Sequence, residues 1–147
     1  MKILVINGPN LNFLGIREPS VYGKQDYNYL VNMIEEKAKA ENIEVECFQS
    51  NHEGAIIDRI QEAYFDHTEG IIINPGAYTH YSYAIYDALE AVKLPTVEVH
   101  ISNIHKRDEF RHRSVTAPAC IGQICGLGFR GYTLAIDYLL EEVKTND

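Results

Sequence analysis

Short β-branched runs alternate along this chain with stretches of helical period, and that alternation is the strongest constraint on its fold. The runs are 2–7 (KILVIN), 43–48 (IEVECF), 70–74 (GIIIN), 95–99 (PTVEV) and 119–125 (ACIGQIC). Strands separated by helices of this length cannot close hairpins, so the rhythm predicts βαβ crossovers and a parallel sheet. Between the first two runs, Asp26 is placed to cap a helix. Tyr27, Leu30, Val31, Ile34 and Ala38 fall on one face at steps of three and four, and Glu35, Glu36, Lys37 and Lys39 mostly face water. Ile56, Ile57, Ile60 and Tyr64 mark a second helix. A third is expected from near Thr79, carrying Ala84, Ile85, Ala88, Leu89 and Val92, and a fourth from about Thr133.

Five parallel strands with interleaved helices predict an α/β fold, a flavodoxin-like three-layer, doubly wound five-stranded parallel sheet. In such a sheet ligands lie beyond the carboxyl ends of the strands. At 147 residues, 46% of them hydrophobic, the chain suits one core, and a single domain over 1–147 is expected. No internal repeat, linker or low-complexity segment interrupts it.

The strand-end rule selects residues. After the first run comes Gly8-Pro9-Asn10-Leu11-Asn12, after the second Gln49-Ser50-Asn51-His52, after the third Asn74-Pro75-Gly76-Ala77, and after the fourth His100-Ile101-Ser102-Asn103. Amides, hydroxyls and imidazoles are thereby gathered on one rim. The connection from Asn7 to Gly23 is long for a βα loop and holds Arg17 and Tyr22. It reads equally as a binding loop or as a surface excursion whose tyrosine packs on its neighbours. The catalytic reading has a chemical cost: a phenol with a pKa near 10 is ionised to roughly one part in a thousand at neutral pH, so its use as a base costs roughly 4 kcal/mol unless the phenolate is stabilised. A guanidinium is a suitable stabiliser, and Arg17 lies five residues earlier.

Charge narrows the partners. With 21 acidic against 13 basic residues the formal net charge is −8, a field that repels phosphate backbones and anionic lipid, so neither nucleic acid nor a membrane is expected. No run approaches the roughly 20 apolar residues of a membrane span, and the amino terminus leads directly into a strand without a signal-peptide layout; a cytoplasmic protein is expected. Against this acidic background Lys106, Arg107, Arg111 and Arg113 crowd one stretch. They suit a small anionic substrate, or form a solvated basic face, the simpler account of Lys106 and Arg113.

Glu98 and His100 share one side of a strand end because side chains alternate with period two. A carboxylate beside an imidazole orients it and raises its basicity, which suits a general acid, though a structural salt link is the commoner use of the pair. His80 could donate to a ligand or cap a helix. Gly126-x-Gly128-x-x-Gly131 fits a dinucleotide fingerprint on paper, but the 16 residues after Gly131 leave no room for the second strand, so turn and packing glycines are expected. The first loop lacks Gly-Lys-Ser/Thr. Histidines 100, 105 and 112 match no zinc helix spacing, and no metal is expected. Cys47, Cys120 and Cys125 form no Cys-x-x-Cys and read as small hydrophobes. No lysine sits inside an apolar strand, so a Schiff-base mechanism is not expected.

The residues Asn10 to Gly23, Phe48 to Gly54, Asn74 to His80 and Glu98 to Asn103 occur together and in order, and in them the chain closely resembles the type II 3-dehydroquinate dehydratases from Met1 to about Asp137. The resemblance implies loss of water from 3-dehydroquinate to give 3-dehydroshikimate, by trans elimination through an enolate, in the shikimate route to chorismate and aromatic amino acids. No cofactor is implied. Carried over by position, Tyr22 is the base and Arg17 stabilises its phenolate. His100, supported by Glu98, protonates the departing hydroxyl, and Asn10 helps hold the enolate through a water. Asn74, His80, Ile101, Ser102 and Arg111 are substrate-binding positions, with Arg111 reaching the carboxylate. Asp87 is an acid that approaches from a neighbouring subunit. The resemblance also implies a homo-oligomer, trimers assembling into a dodecamer. Tyr81, Tyr86, Asp108-Glu109 and Arg113 depart from the family's usual Thr, Arg, Glu-Pro and His, none at a catalytic position. The runner-up reading is a non-catalytic flavodoxin-like domain that binds a small anion.

Overall fold

The computed structural model describes residues 1–16 and 25–146. Five strands, β1 (Lys2–Asn7), β2 (Glu44–Gln49), β3 (Gly70–Asn74), β4 (Thr96–His100) and β5 (Gly122–Cys125), form one all-parallel sheet in the order β2-β1-β3-β4-β5. The helices are α1 (Tyr27–Ala40), α2 (Glu53–Ala63), α3 (Tyr83–Val92) and α4 (Arg130–Asn146). This is the doubly wound, flavodoxin-like α/β sheet that the alternation predicts.

Period-two alternation divides the core between two faces. Ile3, Val5, Ile72, Val97 and Val99 point to α1 and α4, where Leu30, Ile34, Tyr132, Ile136 and Leu139 meet them. Leu4, Ile6, Ile71 and Ile73 point the other way, against Ile56 and Ile60 of α2 and Ile85 and Leu89 of α3. Residues sandwiched this way have no wet face, which is why β1 and β3 read as continuous apolar runs. Caps set the helix starts. Asp26 accepts a hydrogen bond from the Tyr29 amide at 2.8 Å, and Ser82 accepts one from the Ile85 amide at 3.0 Å.

Several boundaries differ from the sequence expectation. Residues Gly76–His80 form a 3-10 turn, and α3 begins only after its cap at Ser82, which rotates Ala84 into solvent. A 3-10 turn at Ala117–Ala119 delays β5 to Gly122, and α4 begins at Arg130, a turn earlier than Thr133. Tyr64 is 64% exposed because α2 ends at Ala63, and its ring meets Phe65 edge-on instead of the core. Arg59 is buried in its place, its guanidinium paired with Glu46 and Asp66. The three cysteines are free and half-buried; burial, followed by the charges of Glu35 and Glu46, pushes the Cys47 thiol up to about 12.

The Asp66 cluster gives the fold an acid limit. Burial alone would raise this carboxyl, but hydrogen bonds from Thr68, Lys2 and Arg59 hold it at about 2 against an ordinary 3.8. A carboxylate depressed in the folded state stabilises fully above its unfolded value and loses that contribution as pH falls through its folded value. Asp66→Asn is therefore expected to lower Tm at neutral pH and to flatten Tm against pH between about 4 and 2. Calorimetric melts across that range check it; parallel profiles for the two proteins would contradict the coupling.

Candidate active site

The strand order places the topological switch between β1 and β3, whose following connections run in opposite directions across the sheet, and a crevice opens there beyond the carboxyl ends. It is a cavity of about 420 Å³, within the range of sites for small metabolites. Two of its walls are tied by backbone: the Gly8 amide donates to Asn74 O at 2.8 Å, and a Cβ on Gly8 would lie 2.4 Å from Pro75 O, so only glycine lets these turns touch.

Asn10, Asn74, His80, His100, Ile101, Ser102 and Arg111 all line this one cavity. Residues from three strand ends and the basic stretch are brought together as the strand-end rule requires. Glu98 stands behind His100. Asp87 lies exposed on α3, away from the lining, and Arg17 and Tyr22 lie outside the described residues.

The imidazole geometry fixes proton positions. His100 Nε2 is 3.0 Å from Glu98 Oε2. A carboxylate can only accept here, so Nε2 carries hydrogen; Nδ1, without a partner among the described residues, gains one only in the imidazolium. Glu98 is fully buried, yet it accepts from His100, Ser114 Oγ (2.8 Å), Gln123 Nε2 (2.7 Å) and Thr116 Oγ1. Burial works to raise its pKa, but the His100 hydrogen bond and charge, then Thr116 and Ser114, outweigh it and hold Glu98 below the usual carboxylate range. A carboxylate kept ionised stays an acceptor, so it holds the ring by its Nε2–H and turns Nδ1 away from Glu98.

His80 is oriented by Nδ1, 2.8 Å from Arg113 O. A carbonyl cannot donate, so Nδ1 carries the hydrogen, and Nε2 is left to meet a ligand, as an acceptor in the neutral ring or a donor in the charged one. It does not cap a helix, since Ser82 caps α3. Arg111 lies over the Phe110 ring at 4.7 Å, its Nε 3.7 Å from Asp108 Oδ2 and without a hydrogen bond among the described residues. Its guanidinium is thus only weakly engaged by protein acceptors.

Sequence reasoning missed the hydroxyls around Glu98. Thr79 Oγ1 lies 2.7 Å from both Ser114 Oγ and Thr116 Oγ1, closing a cage that only Gln123, the register partner of Glu98, could have announced. The Gly126 motif is a turn: at φ +85° a Cβ there would sit 2.9 Å from Asn103 Cβ.

A doubly wound sheet whose carboxyl-edge crevice is lined by an imidazole backed by a buried carboxylate, and by Arg107 and Arg111, defines an α/β enzyme site for a small anionic metabolite. Comparison with known proteins then places it. The profile of the family described as dehydroquinase class II matches residues 1–140, and the chain belongs to that family. It is 70% identical over 140 residues to a 3-dehydroquinate dehydratase of Lachnoclostridium phytofermentans, covering 95% of this chain and 97% of that one. It is 64% identical over 144 residues to one of Clostridium perfringens, covering 98% and 100%. The crystal structure of the type II dehydroquinase of Butyrivibrio crossotus superposes with a TM-score of 0.92 at 70% identity, covering 95% of this chain and 97% of the other.

Proposed function

We infer that this chain removes water from 3-dehydroquinate to give 3-dehydroshikimate, as a hydro-lyase of the type II dehydroquinase family. The observation that carries the reading is the single cavity that gathers the His100–Glu98 pair, three amide and hydroxyl side chains and Arg111, in a chain 70% identical to a protein of that activity.

The chemistry sets the roles. A proton beside a ketone is weakly acidic, so its removal needs a strong base and donors aimed at the oxygen that becomes negative. Tyr22 as phenolate, stabilised by Arg17, takes that proton, and the electron pair forms an enolate held by Asn10 through a water. When the enolate collapses, the ring C–O bond breaks and His100, as imidazolium, gives its Nδ1 proton to the departing hydroxyl, releasing water. Phenolate has then become phenol and imidazolium imidazole, so one proton must pass back before the next turnover. Glu98 keeps Nε2–H in place throughout. Arg111 meets the substrate carboxylate by charge-assisted hydrogen bonds, His80 Nε2 accepts from a ring hydroxyl, and Asn74, Ile101 and Ser102 fix the ring's orientation.

The finer assignments belong to the same proposal. Residues 1–147 act as one catalytic domain in the cytoplasm, in the shikimate route. The chain works as a homo-oligomer of trimers paired into a dodecamer, in which Asp87 of one subunit approaches a neighbour's site. Among the described residues no helix is long and apolar enough to cross a membrane.

Purified protein with dehydroquinate should show the rising ultraviolet absorbance of a conjugated enone, at an unchanged rate after exhaustive EDTA treatment and without a borohydride-trapped adduct. An absent enone signal would remove the dehydratase reading. Loss of rate on chelation would point to metal chemistry, and an adduct on any lysine to an imine route.

A further inference from the structure

Asn7 and Asn74 are register partners at the carboxyl ends of the two central strands, and both are buried. Alternation turns both side chains toward α1 and α4, where Tyr132 lies fully buried. The Tyr132 hydroxyl donates to Asn7 Oδ1 at 2.6 Å and accepts from Asn74 Nδ2 at 2.9 Å, while Asn74 Oδ1 accepts from the Gly76 amide at 3.1 Å.

One end of this chain of bonds fixes the polarity of the rest. A backbone amide can only donate, so Asn74 must offer Oδ1 to Gly76 and Nδ2 to Tyr132, and the phenol hydrogen must go to Asn7. Burial pushes the Tyr132 phenol up despite the Asn74 hydrogen bond, so the hydroxyl keeps the proton it donates. The Tyr132 hydrogen bond to Asn7 Oδ1 offsets part of the cost of burying this amide. Asn74 and Gly76 line the cavity, whereas Tyr132 and Asn7 do not. The side-chain amide of this cavity-lining residue is therefore oriented from the α4 side of the sheet.

We propose that Tyr132, with Asn7 as its acceptor, is a positioning residue for substrate binding: it holds the Asn74 amide in the one orientation that leaves its second Nδ2–H for the substrate. This rests on Asn74 being a substrate-binding residue. Steady-state kinetics of Tyr132→Phe, which deletes one oxygen and keeps the ring, should show KM raised about tenfold with kcat within about threefold. In an Asn74→Ala background the same change should raise KM no further, because the group it positions is gone.

The outcomes separate. A lowered Tm with KM within twofold of wild type in Tyr132→Phe, while Asn74→Ala raises KM, overturns the positioning role and leaves the site reading standing. A wild-type KM in Asn74→Ala overturns the assignment of Asn74 and the positioning role with it. Should Tyr132→Phe not fold, Asn7→Ala removes the acceptor with the phenol in place; raised KM then supports the proposal and unchanged KM sinks it.

Discussion

His100→Asn is expected to lower kcat about 10²- to 10⁴-fold, the usual contribution of a positioned general acid, with a much smaller change in KM. Departure of hydroxide from a ring carbon is slow unless a proton arrives as the C–O bond breaks, and asparagine has no proton to give at neutral pH. The expectation is sharpened by how completely the imidazole is arranged. One nitrogen is committed to Glu98 at 3.0 Å, the carboxylate is fully buried and accepts from three further donors, and His100 itself lines the cavity. Steady-state assay of enone formation measures the effect, and a melt shows whether the Glu98 cage survives, since asparagine can still donate toward it. A kcat within tenfold of wild type, in a folded variant, would mean that His100 serves only to neutralise Glu98.

Much of this arrangement was legible in the sequence, for reasons that can be named. Strands buried on both faces carry uninterrupted β-branched residues, so β1 and β3 announce themselves, and period two then assigns Glu98 and His100 to one side without any coordinates. The strand-end rule places Asn10, Asn74, His100, Ile101 and Ser102 on a common rim, and one cavity does gather them. What was not legible depends on partners distant along the chain. Ser114 and Thr116 lie in an irregular segment with no period to read, and their meaning comes only from Glu98 behind them. Tyr132 looks like any core aromatic of an amphipathic helix until Asn7 and Asn74 are seen to share its hydroxyl. Boundaries failed where a cap or a 3-10 turn overrode periodicity, as at Ser82 and Tyr64. The tautomer of His80 needed the Arg113 carbonyl, which no spacing rule supplies.

Tyr22→Phe is expected to abolish nearly all turnover, a fall in kcat of about 10³- to 10⁴-fold, while substrate still binds within a few-fold of wild type. The hydroxyl is the only difference between the two side chains, so the variant deletes the proposed base and little else. Among the described residues, the other candidates suit the step less well. Glu98 is sealed beneath His100 with its oxygens occupied by donors, and His100 must begin the cycle protonated to serve as the acid. His80 could accept through Nε2 only as a neutral ring, and imidazole is a base weaker than phenolate by about three to four pKa units, too weak for a carbon acid at comparable speed. Binding is measured by calorimetry and turnover by absorbance, and the comparison separates two classes of protein. A small-anion-binding domain would bind dehydroquinate and form no enone in either form. An enzyme whose base lies elsewhere would lose little on the substitution. Only proton removal by Tyr22 predicts an active parent and a variant that binds but does not turn over; an unimpaired rate in Tyr22→Phe would end the base assignment.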